Sequence, residues 1–251
     1  FILHICLTLT KLEFYDSALK GVCNEDHQRM KLSLSDWLFP SYCVLCQSQI
    51  HSSMGLCQFC LDDLPLLDLA EHDNLFYRPD IVEMFPNCNF EKLFACAFYQ
   101  PPFDLWLKQL KFNNQIHYKK ALQQVIKKQL SVFMTKHPIA VDAFIILPLH
   151  KARFLTRGFN QVTQVWQPCL GSNKVLNNAL LRHKHTSAQS QLSKAKRVKN
   201  LQQAFSCTAN LEGKTVVIID DIMTTGATLN AATLSLKEAG AKQVWAFTTC
   251  L

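Results

Sequence analysis

Glycine and proline are scarce in this chain, 7 and 9 of 251 residues, which excludes collagen-like and low-complexity architectures. Long hydrophobic runs are missing too. A membrane-crossing helix needs about 18 apolar residues in succession, whereas the longest run here, Leu93 to Tyr99, has the length of a buried strand. Acid is nearly absent from the middle of the chain. Between Lys108 and Asn200 stand 17 Lys and Arg against the single acid Asp142, a local charge of +16 in a chain whose net charge is +7. Such asymmetry suits a basic face that attracts phosphates, on a small molecule or on nucleic acid; an ordinary solvated surface is the plainer alternative. With 49% hydrophobic and 18% charged residues, the composition is that of a globular chain with room for one ordinary domain and a small accessory module.

Methionine is also missing before Met30, and the first residue is Phe1. The apolar patch Phe1 to Leu9 has no basic stretch before it and no small-residue cleavage site after it, so a signal peptide is not indicated. From Met30 the text MKLSLSDWLFPSYCVLC reads as a natural start. Residues 1–29 are therefore expected to be a non-native upstream extension or a disordered leader.

Cysteine, by contrast, is abundant, at 11 residues. Four fall into two pairs, Cys43-x2-Cys46 and Cys57-x2-Cys60, separated by ten residues, and the rest are scattered singly in the manner of buried apolar side chains. This usage fits a reducing, cytoplasmic location better than a secreted disulfide framework. Each CxxC turn aims two sulfurs at one centre, and two turns complete a tetrahedron around Zn²⁺. Iron in the same cage and a redox dithiol are the alternatives. A closed four-cysteine set leaves no open coordination position, so the reading is structural or interaction-making rather than catalytic.

Three regions follow: a four-cysteine zinc-binding module at 30–69, a connector at 70–89 that reads as irregular, and an α/β domain at 90–251 in which apolar runs alternate with amphipathic stretches. Within that domain strands are expected at Leu93 to Tyr99, Ala143 to Leu147, Val216 to Ile219 and Val244 to Thr249. Helices are expected after Pro101 and Pro102 through Leu110, and over His117 to Phe133, Gly158 to Trp166 and Ala227 to Ala239, with Gly240 as a natural cap. The expected class is a Rossmann-like parallel sheet flanked by helices.

The most informative segment is VVIIDDIMTTGATL, Val216 to Leu229. The apolar strand delivers Asp220 and Asp221 to its carboxyl end, where open α/β sheets bind ligands. The turn Thr224, Thr225, Gly226, Ala227, Thr228 offers hydroxyls and backbone N–H groups at the positive end of the next helix, a site suited to a phosphate. Gly226 permits close backbone approach, and adjacent carboxylates can accept hydrogen bonds from two neighbouring ribose hydroxyls. Acids for the diol and a turn for the anion match a sugar 5-phosphate. Metal ligation or simple helix capping by the aspartates are the competing readings.

This segment resembles the signature of the type I phosphoribosyltransferases, and the chain is more closely similar to one branch, the ComF family. LKF at Leu110 to Phe112, PLHKARFLTRGFNQ at Pro148 to Gln161, LRHKHTSAQSQLSKAKRVKN at Leu181 to Asn200 and the two CxxC pairs carry the resemblance across roughly Leu32 to Gly240. It implies a phosphoribosyltransferase-like fold behind a double zinc ribbon, and a site for 5-phosphoribosyl 1-diphosphate with Mg²⁺. It also implies a role in DNA uptake and natural competence, with single-stranded DNA as the expected partner; an assembly protein whose four-cysteine module docks a partner such as a competence helicase is a plainer alternative. The alternative is an active phosphoribosyltransferase of nucleotide metabolism, with Asp220, Asp221 and Arg157 as its catalytic residues.

By the same resemblance, the loop carrying His150, Arg153 and Arg157 meets the diphosphate, for which the planar guanidinium fork is suited; cations on a helix surface are the plainer reading. Leu181 to Asn200, with Arg182, Lys184 and Arg197 and no acid, resembles a flexible loop that closes over an active site. A nucleic-acid strip would need only the same clustered cations. Lys108 and Lys111 beside Trp106 and Phe112 suit either stacking on bases or aromatic core packing with solvated lysines.

Overall fold

Four cysteines and one glutamine organise the first of two units into which the chain divides in a computed structural model, which describes residues 40–113, 115–138, 140–149, 154–155, 158–171, 174–183 and 204–251. The first unit is Phe1–Leu64 with Gln115–Val125, the second Pro65–Asn114 with Ile126–Leu251. In chain order the strands are β1 (Ser41–Tyr42), β2 (Gln49–Ile50), β3 (Lys92–Ala97), β4 (Ala143–Ile146), β5 (Leu180–Arg182), β6 (Phe205–Cys207), β7 (Thr215–Ile222) and β8 (Gln243–Cys250). The helices are α1 (Gln58–Asp62), α2 (Pro79–Met84), α3 (Phe103–Asn113), α4 (Ile116–Lys136), α5 (Gln161–Trp166) and α6 (Ala227–Glu238). The leader at 1–29 lies outside the described residues.

In the first unit β1 and β2 pair antiparallel, and the turn between them closes through Cys43 N–H to Ser48 O at 2.9 Å and Gln47 N–H to Cys43 O at 3.0 Å. Gln124 of α4 then satisfies the second cysteine turn. Its Oε1 accepts the Gly55 and Leu56 N–H groups, both at 2.7 Å, and its Nε2 donates to Leu56 O at 3.1 Å. Loop backbone groups left without such partners would carry a desolvation cost. Gly55 sits so close to the helix that a Cβ would stand 2.3 Å from Ala121 N. The start of α4 is thus part of the module although its glutamine lies 68 and 69 positions beyond the groups it binds.

The second unit is built on a parallel sheet of order β3-β8-β7-β4. Val216, Val217, Ile218 and Ile219 of β7 are fully buried, as expected of a strand covered on both faces. Phe94 meets Phe133 edge-on at 4.7 Å and Trp166 meets Phe247 at 4.9 Å, while the Trp166 indole N–H is satisfied by Thr249 Oγ1 at 2.9 Å. Trp106 is also core, 1% exposed, so core packing, not base stacking, accounts for that ring. The α/β class expected from the sequence is the one present.

Several boundaries differ from expectation. β3 ends at Ala97, so Phe98 and Tyr99 leave the strand. α5 begins only at Gln161, because Asn160 acts as its cap, accepting Val162 N–H at 3.1 Å. The connector contains a 3-10 turn, Leu75–Tyr77, capped by Asn74, and then α2, which has Pro79 in its first turn. The antiparallel pair β5–β6 was not anticipated; Ser235 of α6 ties it down by donating to Phe205 O at 3.0 Å. No helix among the described residues is long and apolar enough to cross a membrane.

Candidate functional site

The carboxyl end of β7 opens into a cavity of about 190 Å³. Asp220 and Asp221 line it, with Thr228 from the first turn of α6, Arg182 from β5, Lys111 from α3 and Asn160 from the cap of α5. Four separate segments of the second unit therefore converge on two adjacent carboxylates.

The acids are fixed locally. Asp220 Oδ1 accepts the Asp221 N–H at 2.8 Å, and Asp221 Oδ1 accepts the Ile222 N–H at 2.9 Å. Withdrawal from water and the neighbouring Asp221 carboxylate push the Asp220 carboxyl well above the usual carboxylate range, against the opposing pull of Arg182. Arg182 is held by its own strand pair, its guanidinium carbon lying 5.3 Å from the centre of the Phe205 ring. The cavity thus sets two adjacent acids, one of them with a raised proton affinity, beside two cations.

Gly226 occupies the cap position of α6 with φ 69° and no side chain to close the helix end. A Cβ there would stand 3.1 Å from Met223 Cε and 3.4 Å from Cys88 Sγ. Residues 87–89 are held against this turn by Asn230, whose Nδ2 donates to Asn87 O at 2.6 Å and whose Oδ1 accepts Asn89 N–H at 2.8 Å. Cys88, its thiol pushed up to about 11 by burial, so forms the back wall of the bend. Thr224 and Thr225 are exposed, Ala227 is half-buried, and Thr225 Oγ1 accepts Ala227 N–H at 3.4 Å. Of the five turn residues, Thr228 lines the cavity directly.

Arg182 and Lys111, expected as loop or nucleic-acid contacts, share the cavity with the acids. His150, Arg153, Arg157, Lys184 and Arg197 lie outside the described residues. Asn160 and Asn230 were not foreseen. Asn160 had a signal, a helix-capping residue just before the helix; Asn230 had none, since its partners lie 141 and 143 positions away.

In the first unit, the Sγ atoms of Cys43, Cys46, Cys57 and Cys60 all lie within 4.8 Å of one another, and all four residues are buried. Cys46 and Cys57 Sγ are 3.7 Å apart. A tetrahedron with Zn–S bonds of about 2.3 Å has edges of about 3.8 Å, so the cage fits the ion. Hydrogen bonds from the Cys43 and Cys60 thiols pull Cys57 down to about 3, while Cys60, hydrogen-bonded to Cys43 and Cys57, is pushed far above the usual thiol range. Thiolate is the form that binds metal.

Comparison with known proteins agrees with both units. Residues 34–70 match the family described as Double zinc ribbon domain, and residues 175–251 match Phosphoribosyl transferase domain. The four-cysteine cage is accordingly a structural zinc site. The chain is 31% identical over 228 residues to the DNA utilization protein YhgH of Escherichia coli O157:H7, covering 86% of this chain and 92% of that protein. It is 28% identical over 219 residues to competence protein F of Haemophilus influenzae, covering 81% and 94%. Over 104 residues it is 35% identical to competence protein ComFC of Streptococcus pneumoniae, covering 41% and 46%. A zinc ribbon joined to a phosphoribosyl transferase domain, with relatives of these names along nearly its whole length, places the chain in the ComF family.

Proposed function

We propose that this chain binds a ribosyl 5-phosphate ligand in the cavity at the end of β7 and acts in DNA uptake by handling single-stranded DNA on the cytoplasmic side of the membrane. One observation carries the ligand reading: Asp220, Asp221 and Thr228 share a single small cavity with the cations Arg182 and Lys111. Pockets that enclose drug-sized ligands run to about 300–1,000 Å³, so a cavity of about 190 Å³ is sized for a sugar phosphate. The acids accept the ribose hydroxyls, and the uncapped start of α6 receives the 5-phosphate. Arg182 and Lys111 then face an anionic group on the anomeric carbon, as in 5-phosphoribosyl 1-diphosphate. The carboxylates are hard oxygen donors suited to holding Mg²⁺, which when bound with that ligand supplies neutralisation of diphosphate charge.

The DNA reading draws on the competence and DNA utilization names of the relatives and on the +16 stretch between Lys108 and Asn200. Phosphate contacts made by such a stretch release counterions, so binding would fall steeply with salt. The test is calorimetric titration of wild type and of Asp220→Asn/Asp221→Asn with 5-phosphoribosyl 1-diphosphate and Mg²⁺. The isosteric double variant is expected to stay folded and lose the heat of binding; unchanged binding would remove the acids from the site.

A further inference from the structure

Beside the cavity stands a second feature that the sugar-phosphate reading does not use. Tyr99, just beyond β3, keeps 39% of its surface exposed. Its backbone is fixed, since Tyr99 N–H donates to Leu251 O at 2.7 Å. The residue before Leu251 holds the other flank, Cys250 O accepting Met223 N–H at 3.0 Å. Tyr99 and the turn that follows Asp221 therefore border the same strand end.

α3 links the two features. Lys108 Nζ lies 5.8 Å from the centre of the Tyr99 ring, and Lys111, three residues on and so on the same helix face, lines the cavity. Lys108 also pairs with Asp104 at 3.1 Å, but its side chain is 56% exposed, and such exposed pairs hold their partners weakly. A phosphodiester can take that place. An exposed, backbone-anchored ring with one ammonium over its face and a second on the same helix at the cavity combines a stacking surface with cations, the pairing that binds single strands. A buried apolar partner would leave Lys108 desolvated, which disfavours a protein occupant.

We infer that Tyr99, Lys108 and Lys111 form a stacking platform that seats a base of single-stranded DNA at the mouth of the sugar-phosphate cavity. The inference rests on the DNA reading above and adds where the strand lies. Fluorescence anisotropy with labelled oligo(dT) on the full chain tests it, comparing wild type, Tyr99→Phe and Tyr99→Leu, with the melting temperature and the ribose 5-phosphate titration as controls. Loss of one stacked base corresponds to about a 5- to 150-fold fall in affinity. Tyr99→Leu is expected to show that fall at unchanged ribose 5-phosphate affinity, and Tyr99→Phe, which keeps the ring, to bind like wild type. Equal oligo(dT) binding by Tyr99→Leu and wild type would overturn the platform alone. A wild type that binds no oligo(dT) would overturn the DNA reading and the platform with it.

Discussion

Asn230 donates to the carbonyl of Asn87 across 143 positions of sequence, and so ties the connector to the helix whose first turn is the proposed phosphate site. With the Asn89 N–H bond the carboxamide is used on both sides. Each net hydrogen bond contributes about 0.5–1.5 kcal/mol, less where solvent competes, as here. Asn230→Ala is expected to cost about 1 kcal/mol, a fall in melting temperature of a few degrees. It should also weaken ribose 5-phosphate binding about five- to tenfold by loosening the back wall. Asn230→Asp, keeping only the acceptor, should fall between; thermal melts and titrations on the two variants check both effects.

Arg182 is expected to discriminate between ligands. Arg182→Ala should lower affinity for 5-phosphoribosyl 1-diphosphate at least tenfold, about 1.4 kcal/mol, and leave ribose 5-phosphate nearly unchanged, because the latter carries no anion at the anomeric carbon. Arg182→Lys should restore only part of the loss, since an ammonium lacks the planar fork. An equal fall for both ligands would mark Arg182 as structural.

Asp220 makes stability depend on pH in a definite direction. Its proton is held more tightly in the folded chain than in the unfolded one, so the folded state binds more protons between the ordinary carboxylate range and the raised value. Stability is therefore greatest below the ordinary range and falls as pH rises through that window. Asp220→Asn removes the effect, and its denaturation midpoint should exceed that of wild type more at pH 8 than at pH 5. Ligand with Mg²⁺ should release a proton on binding, visible as a buffer-dependent enthalpy.

Gly226→Ala is expected to fail for a backbone reason. A left-handed conformation costs a residue with Cβ about 1–2 kcal/mol, and here the new methyl also meets Met223 and Cys88. Both the melting temperature and phosphate affinity should drop.

The zinc cage tests separately. Cys57→Ser should bring zinc content to background by mass spectrometry of the purified protein, and chelator treatment of wild type should lower its melting temperature. Structural zinc sites contribute folding free energy directly.

The parts legible in the sequence were those written in contiguous residues. Val216 to Ile219 announced a fully buried parallel strand, Asp220 and Asp221 the acids at its carboxyl end that now line the cavity, and the two CxxC pairs a metal cage, because each message is complete within a few positions. What could not be read was short or distant. β5 and β6 span three residues each, too few for periodicity, so Arg182 was assigned to a loop instead of the cavity wall. The connector helix Pro79–Met84 is equally brief. Gln124, Asn230 and Tyr99 act through partners remote in sequence, and nothing local marks them.

A crystal structure of the chain with 5-phosphoribosyl 1-diphosphate and Mg²⁺ decides the central claim. Ribose hydroxyls within hydrogen-bonding distance of Asp220 and Asp221, and the 5-phosphate at the N–H groups of Ala227 and Thr228, are the expected result. Ligand bound elsewhere, or a cavity at the end of β7 that stays without it at saturating concentration, would contradict the account.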